Sequence, residues 1–110
     1  MTFDKQKSFT IITRKSASLA AFRDKLQRSY DTLKRDNLIV NLLSQQNVTL
    51  NDLLLFLKLS NKHRKKKKSF VIITNNVNFD DVPDELIVVP TIQEAKDIIA
   101  MEEIERDLGF

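Results

Sequence analysis

Between positions 62 and 68, six of seven residues are cationic: Lys62, Arg64, Lys65, Lys66, Lys67 and Lys68, with the chain's single histidine, His63, among them. Cations at this density can neutralise several phosphates, so contact with RNA or DNA is one chemistry open to the run. No aromatic residue is interleaved to stack a base, and Phe70 falls in the apolar phase of the segment that follows. A solvated segment and a patch for another protein are the other two readings, and salt dependence separates nucleic-acid contact from a solvated segment. His63, placed beside so many positive charges, is expected as a solvated side chain rather than a base or a metal ligand.

Other catalytic constellations are thin. A Ser–His–Asp arrangement would need His63, which no recognisable nucleophile elbow accompanies. The chain has no cysteine, and its one glycine, Gly109, cannot supply a phosphate-cradling loop. The acidic pairs Asp80/Asp81, Asp84/Glu85 and Glu102/Glu103 are adjacent in sequence, and neighbours on a helix point apart while loop acids are solvated. No enzyme activity, cofactor or metal is therefore expected. A more specific local signal is Thr49-Leu50-Asn51-Asp52. There the Thr49 hydroxyl can accept from the backbone N–H three residues on, and Asp52 sets negative charge at the start of a helix.

The 110 residues suit one domain with one core, spanning 1–110. A hydrophobic content of 42% with 30% charged residues is ordinary for a water-soluble globule, and no apolar stretch approaches the ~20 residues of a membrane span. Residues 1–7 lack the apolar core of a signal peptide, and the absence of cysteine suits a reducing compartment, so a cytoplasmic place without membrane insertion is expected. The net charge of +3 hides an asymmetry. Residues 1–78 hold 16 Lys or Arg against 5 Asp or Glu, whereas residues 79–110 hold 2 against 10. Either the acidic end folds near the basic segments and offsets them, or the two zones face separate partners.

The elements that must position these residues follow from periodicity. Residues 8–14 have the β-branched and aromatic content of a strand, with residues 1–4 as a hairpin partner. Leu19, Phe22, Leu26, Tyr30 and Leu33 recur at three or four positions, predicting an amphipathic helix capped by Ser16 or Ser18. Residues 37–43 read as a strand buried on both faces, 49–61 as a helix with Leu50, Leu53, Leu54 and Leu57 and a place for Phe56 on its apolar side, and 69–74 as a second buried strand. A loop over 75–83, a short strand at 86–89 and a helix opening on the capping box Thr91-Ile92-Gln93-Glu94 complete the chain, with Ile104 and Leu108 expected to dock the last turn. Strands alternating with helices predict an α/β fold with a four- to five-stranded mixed sheet and helices packed against it.

Residues 37–99 resemble the second half of a STAS domain, the fold of anti-sigma-factor antagonists and of the cytoplasmic parts of sulfate transporters. The resemblance rests on Leu38-Ile39-Val40-Asn41 before a loop and helix, on Phe70–Ile73 with Thr74 as the next strand, and on Val88-Val89-Pro90-Thr91-Ile92-Gln93-Glu94-Ala95 in place of the family's V-x-P-S-x-x-E-A. Residues 1–36 fit the family's hairpin and helix in pattern. Residues 98–110, IIAMEEIERDLGF, are similar to small bacterial STAS-like proteins sometimes labelled ribonuclease Z, but one histidine and no cysteine cannot build that nuclease's two-zinc centre.

The resemblance implies a non-catalytic regulatory module that binds a protein, with Thr49, Leu50, Asn51 and Asp52 at the partner-binding position. In the antagonists a D-S-S-G type segment there carries a phosphorylatable serine. Counted from Asn41, neither serine position holds a hydroxyl here, so the implied module lacks the usual phosphoserine switch and Asp52 offers a permanent single charge instead. An RNA-associated accessory, partnered with a ribonuclease and using the Lys62 to Lys68 run, is the alternative.

Overall fold

The computed structural model describes residues 1–15 and 18–109. Among these, the chain opens with β1 (Thr2–Lys5) and β2 (Phe9–Thr13), an antiparallel hairpin with Phe3 opposite Ile12. Its turn has neither Gly nor Asn, and closes through the Gln6 N–H on the Phe9 carbonyl and the Gln6 amide on Asp4. The helical segment that follows divides into α1 (Leu19–Arg28) and a short α2 (Tyr30–Leu33), interrupted at Ser29. Ser18 caps α1 by accepting from the Ala21 N–H; the other candidate cap, Ser16, lies outside the described residues.

Next come β3 (Asn37–Asn41), α3 (Leu50–Leu54), α4 (Leu57–Lys65) and β4 (Phe70–Ile73). A 3-10 turn at Phe79–Asp81, β5 (Ile87–Val89) and α5 (Ile92–Asp107) follow. The strands lie side by side in chain order, with β2 to β5 parallel and β1 antiparallel at the edge, giving a mixed sheet of five strands where four to five were expected.

Crossovers of one hand that always step the same way across a sheet put their helices on one face. Accordingly α1 to α4 pack together over Ile12, Leu38, Val40, Phe70 and Ile72, while α5 covers Ile39, Val71 and Ile73 on the opposite face with Ala95 and Ile99. Alternation along each strand sends neighbouring residues to the two cores, and for this reason β3 and β4 are apolar at nearly every position.

The single helix expected over 49–61 is two. At the junction the Leu55 N–H bonds to the Asp52 carbonyl and the Phe56 N–H to the Leu53 carbonyl, tight three-residue bonds that rotate the chain before α4 begins. Phe56, Leu53 and Leu59 thereby enter the core, with Phe56 edge-on to Phe22, while Leu54 is turned out to 39% exposure. α4 then runs to Lys65, so half of the basic run is helical rather than loop.

The last helix extends to Asp107, and its end is not docked by Ile104 and Leu108, which are exposed. At 3.6 residues per turn, Glu102, Glu103 and Arg106 occupy the side below Ala95 and Ile99, and Ile104 and Leu108 fall opposite.

Candidate partner-binding surface

Thr49 to Asp52 sits at the carboxyl-terminal edge of the parallel strands, the edge where open α/β sheets receive ligands. Thr49 is extended at φ −100° and ψ 166°, and its Oγ1 accepts from the Asp52 N–H at 3.1 Å. The Thr49 N–H in turn donates to Asp52 Oδ2 at 3.0 Å, so each residue satisfies the other's backbone donor. The loop before it, residues 44–48, is fixed by Val48 in the core, by Gln45 N–H on the Leu42 carbonyl and by Asn76 Nδ2 on the Gln45 carbonyl. Thr49 and Asp52 thus spend their polar groups on the fold, Leu50 is half-buried, and Asn51 stands exposed on a rigid base. Thr49→Ala is expected to cost about 1 kcal/mol in urea unfolding, the usual effect of losing such a cap; an unchanged midpoint would show that the bond from the Asp52 N–H to the Thr49 hydroxyl contributes nothing net.

The six cations of 62–68 lie at the other end of the molecule, beside the amino-terminal edge of β4, and the fold disperses them. Lys62 and Lys66 place their Nζ atoms 4.7 and 5.1 Å from the centre of the Tyr30 ring. Arg64 turns to the sheet's other side and pairs with Glu102 at 3.3 Å. Lys65 is exposed, Lys67 takes φ 64° where the chain reverses into β4, and Lys68 is half-buried. Here the acidic end of α5 approaches the basic run: Arg64, Lys67 and Lys68 share one shallow pocket with Glu102 and Glu105. A second surface, unforeseen in the sequence, is an open groove of about 760 Å³ along α3 and α4, floored by Leu54 and Leu57 and rimmed by Lys58, Lys62, Lys65 and Lys66.

His63 corrects the expectation of a solvated side chain, because it is fully buried. One turn beyond Leu59 and two beyond Phe56, it faces the core. Its Nε2 lies 2.8 Å from the Asp36 carbonyl and its Nδ1 2.7 Å from the Tyr30 hydroxyl. A carbonyl can only accept, so Nε2 carries the proton and Nδ1 accepts from the Tyr30 O–H. Burial pushes the His63 pKa below its ordinary 6.5, reinforced by Lys66 and Lys68, while the Asp36 carbonyl and carboxylate oppose the shift. Burial likewise raises the Tyr30 phenol above 10.0. The pair is therefore neutral and structural.

A further polar cluster, also missed, closes the amino-terminal edge of the sheet. Asn37 at the head of β3 donates to the Ser8 carbonyl and to Glu103, and accepts from the Ser69 N–H and from Arg106. The Ser69 hydroxyl donates to Glu102 at 2.6 Å and accepts from Arg106. Ser69 and Asn37 are buried, so this cluster is a clamp on α5 rather than an open site.

Among the described residues no three His, Cys, Asp or Glu side chains gather where they could hold a metal ion, and no helix is long and apolar enough to cross a membrane. No protein-family model matches the chain, and no curated protein matches it in sequence.

Proposed function

We propose that this chain is a STAS-like, non-catalytic regulatory module of the cytoplasm that binds a protein through the amino end of α3 and the loop over residues 44–48. The observation that carries the reading is the exposed Asn51 held on a doubly bonded cap at the carboxyl-terminal edge of the sheet. The element order supports it too: a hairpin and helix, a buried strand, then the loop and helix, a second buried strand and the helix opened by Thr91 stand in the sequence that the resemblance implies.

Binding proceeds without phosphorylation. The Thr49 hydroxyl is engaged with the Asp52 N–H, and a phosphoryl group added there would bring about two negative charges against the Asp52 carboxylate. Leu50 and Asn51 have no hydroxyl to modify.

The test is capture of partners by tagged protein from its native cells, with and without nuclease. Asn51→Lys, a change on an exposed side chain, is expected to weaken capture of the protein partner on the order of tenfold or more, since an unmatched charge enters the contact. Lys65→Glu combined with Lys67→Glu is expected to leave it intact. Nuclease-sensitive capture that depends on those lysines and ignores Asn51 would replace this reading with the RNA-associated one.

A further inference from the structure

We infer that the chain associates with copies of itself head to tail, the outward face of α5 in one copy lying in the lysine-rimmed groove of α3 and α4 in the next. Asn51 is not among the residues that line this groove.

α5 is apolar on two sides. Ala95 and Ile99 are buried against the sheet, yet Met101, Ile104 and Leu108 on the far side are 59%, 60% and 68% exposed. Their spacing of three and four residues aligns them in one stripe. A helix covering a sheet ordinarily carries polar residues there, so the stripe has the composition of a helix packed on both sides. The charged residues of α5 sharing that face are acidic, Glu94 and Asp97, with Glu105 at its margin beside the pocket it shares with Lys67 and Lys68.

The groove has the opposite character. Leu54 and Leu57 form its floor and Lys58, Lys62, Lys65 and Lys66 its rim, with Lys62 and Lys66 already steered by the Tyr30 ring. An acidic apolar helix therefore meets a basic apolar groove, and one chain supplies both. Stripe against stripe would set acid on acid, and groove against groove would set lysine on lysine, so charge selects the unlike pairing.

The two surfaces lie over opposite faces of the sheet, α3 and α4 above one core and α5 above the other. They cannot meet within a chain, and one two-fold axis cannot satisfy both. The contact is consequently heterologous, and it propagates into a ring or a filament.

Sedimentation of the full chain across protein and salt concentrations tests this. The average mass is expected to rise with protein concentration at low salt and to fall toward the 12.8 kDa of one chain near 1 M salt, where screening acts within about 3 Å. Met101→Glu with Leu108→Glu, and separately Lys58→Glu with Lys65→Glu, alter exposed residues and are each expected to give monomers with unchanged circular dichroism. Mixed in equal amounts, the two variants are expected to form a one-to-one pair, since each retains the surface the other lacks, and nothing larger. A wild type that stays monomeric throughout, a dimer that never grows, variants that assemble as the wild type does, or a mixture that does not pair would each overturn the proposal.

Discussion

Replacing Asn37 with leucine is expected to remove about 2–4 kcal/mol of stability, a large share of the roughly 5–15 kcal/mol that holds a domain of this size together. The amide has two N–H donors and two acceptor lone pairs, and all four are used: by Ser8, Glu103, the Ser69 N–H and Arg106. Leucine fills nearly the same volume, so packing is largely retained and the cost isolates the polar groups. Glu103 and Arg106 are partly exposed and can turn to water, but the Ser69 N–H is buried and loses its acceptor. The urea midpoint should fall without a change of slope, and amides in the last two turns of α5 should exchange faster than those of β3 and β4. A midpoint within about 0.5 kcal/mol of wild type would show that the Ser69 N–H finds another partner and that the clamp holds nothing.

His63→Ala is expected to cost about 3–4 kcal/mol, because a cavity opens against Tyr30 and Phe70 and two hydrogen bonds vanish. The same residue sets an acid limit on the fold. Its folded pKa is depressed, so above 6.5 both folded and unfolded chains hold a neutral imidazole and the group contributes no pH dependence. As the pH falls below 6.5, the unfolded chain takes up a proton that the folded chain refuses, and stability declines until the lowered folded pKa is reached. Facing the ring are the Tyr30 hydroxyl, the carbonyl and carboxylate of Asp36, and the charges of Lys66 and Lys68. Tyr30 acts at the alkaline side: its phenol is raised, so stability is lost as the pH climbs past 10.0 and the unfolded chain ionises first. Stability plotted from pH 5 to 8 should therefore slope below 6.5 in the wild type and be flatter there in His63→Leu. Equal slopes would assign the acid sensitivity to other groups.

Much of the architecture is legible in the chain because its signals are local. Leu38 to Val40 and Phe70 to Ile73 are unbroken apolar runs, the composition of parallel strands covered on both sides. The caps at Thr49 and Thr91 need only the next three residues, and both form. What escapes the sequence depends on geometry between distant parts. Leu50, Leu53, Leu54 and Leu57 fit one helical stripe, and nothing local announces that two tight bonds at Leu55 and Phe56 turn Leu54 out and Phe56 in. His63 is camouflaged by its cationic neighbours, although its spacing from Phe56 and Leu59 marks the inner side of a helix. The polar partners of Asn37 come from 29 to 69 positions away, and Arg64 finds Glu102 across 38, so neither cluster casts a pattern in the sequence. The candidate surface divides the same way: the Thr49 to Asp52 cap is a local motif, whereas the lysine-rimmed groove exists only after α3 and α4 are set at an angle.

The order of the sheet also bears on how the molecule is made. Each parallel strand pairs with the one translated just before it, so β2 to β5 can assemble in sequence as the polypeptide emerges, and the helices between them seal one side as they go. The other side has no such provision. Ile39, Val71 and Ile73 stay bare until α5 has left the ribosome and swung back across them. A polypeptide cut within or before α5 would carry this strip as an adhesive surface, and so the span of synthesis between β5 and Asp107 is when nascent chains are most prone to aggregate.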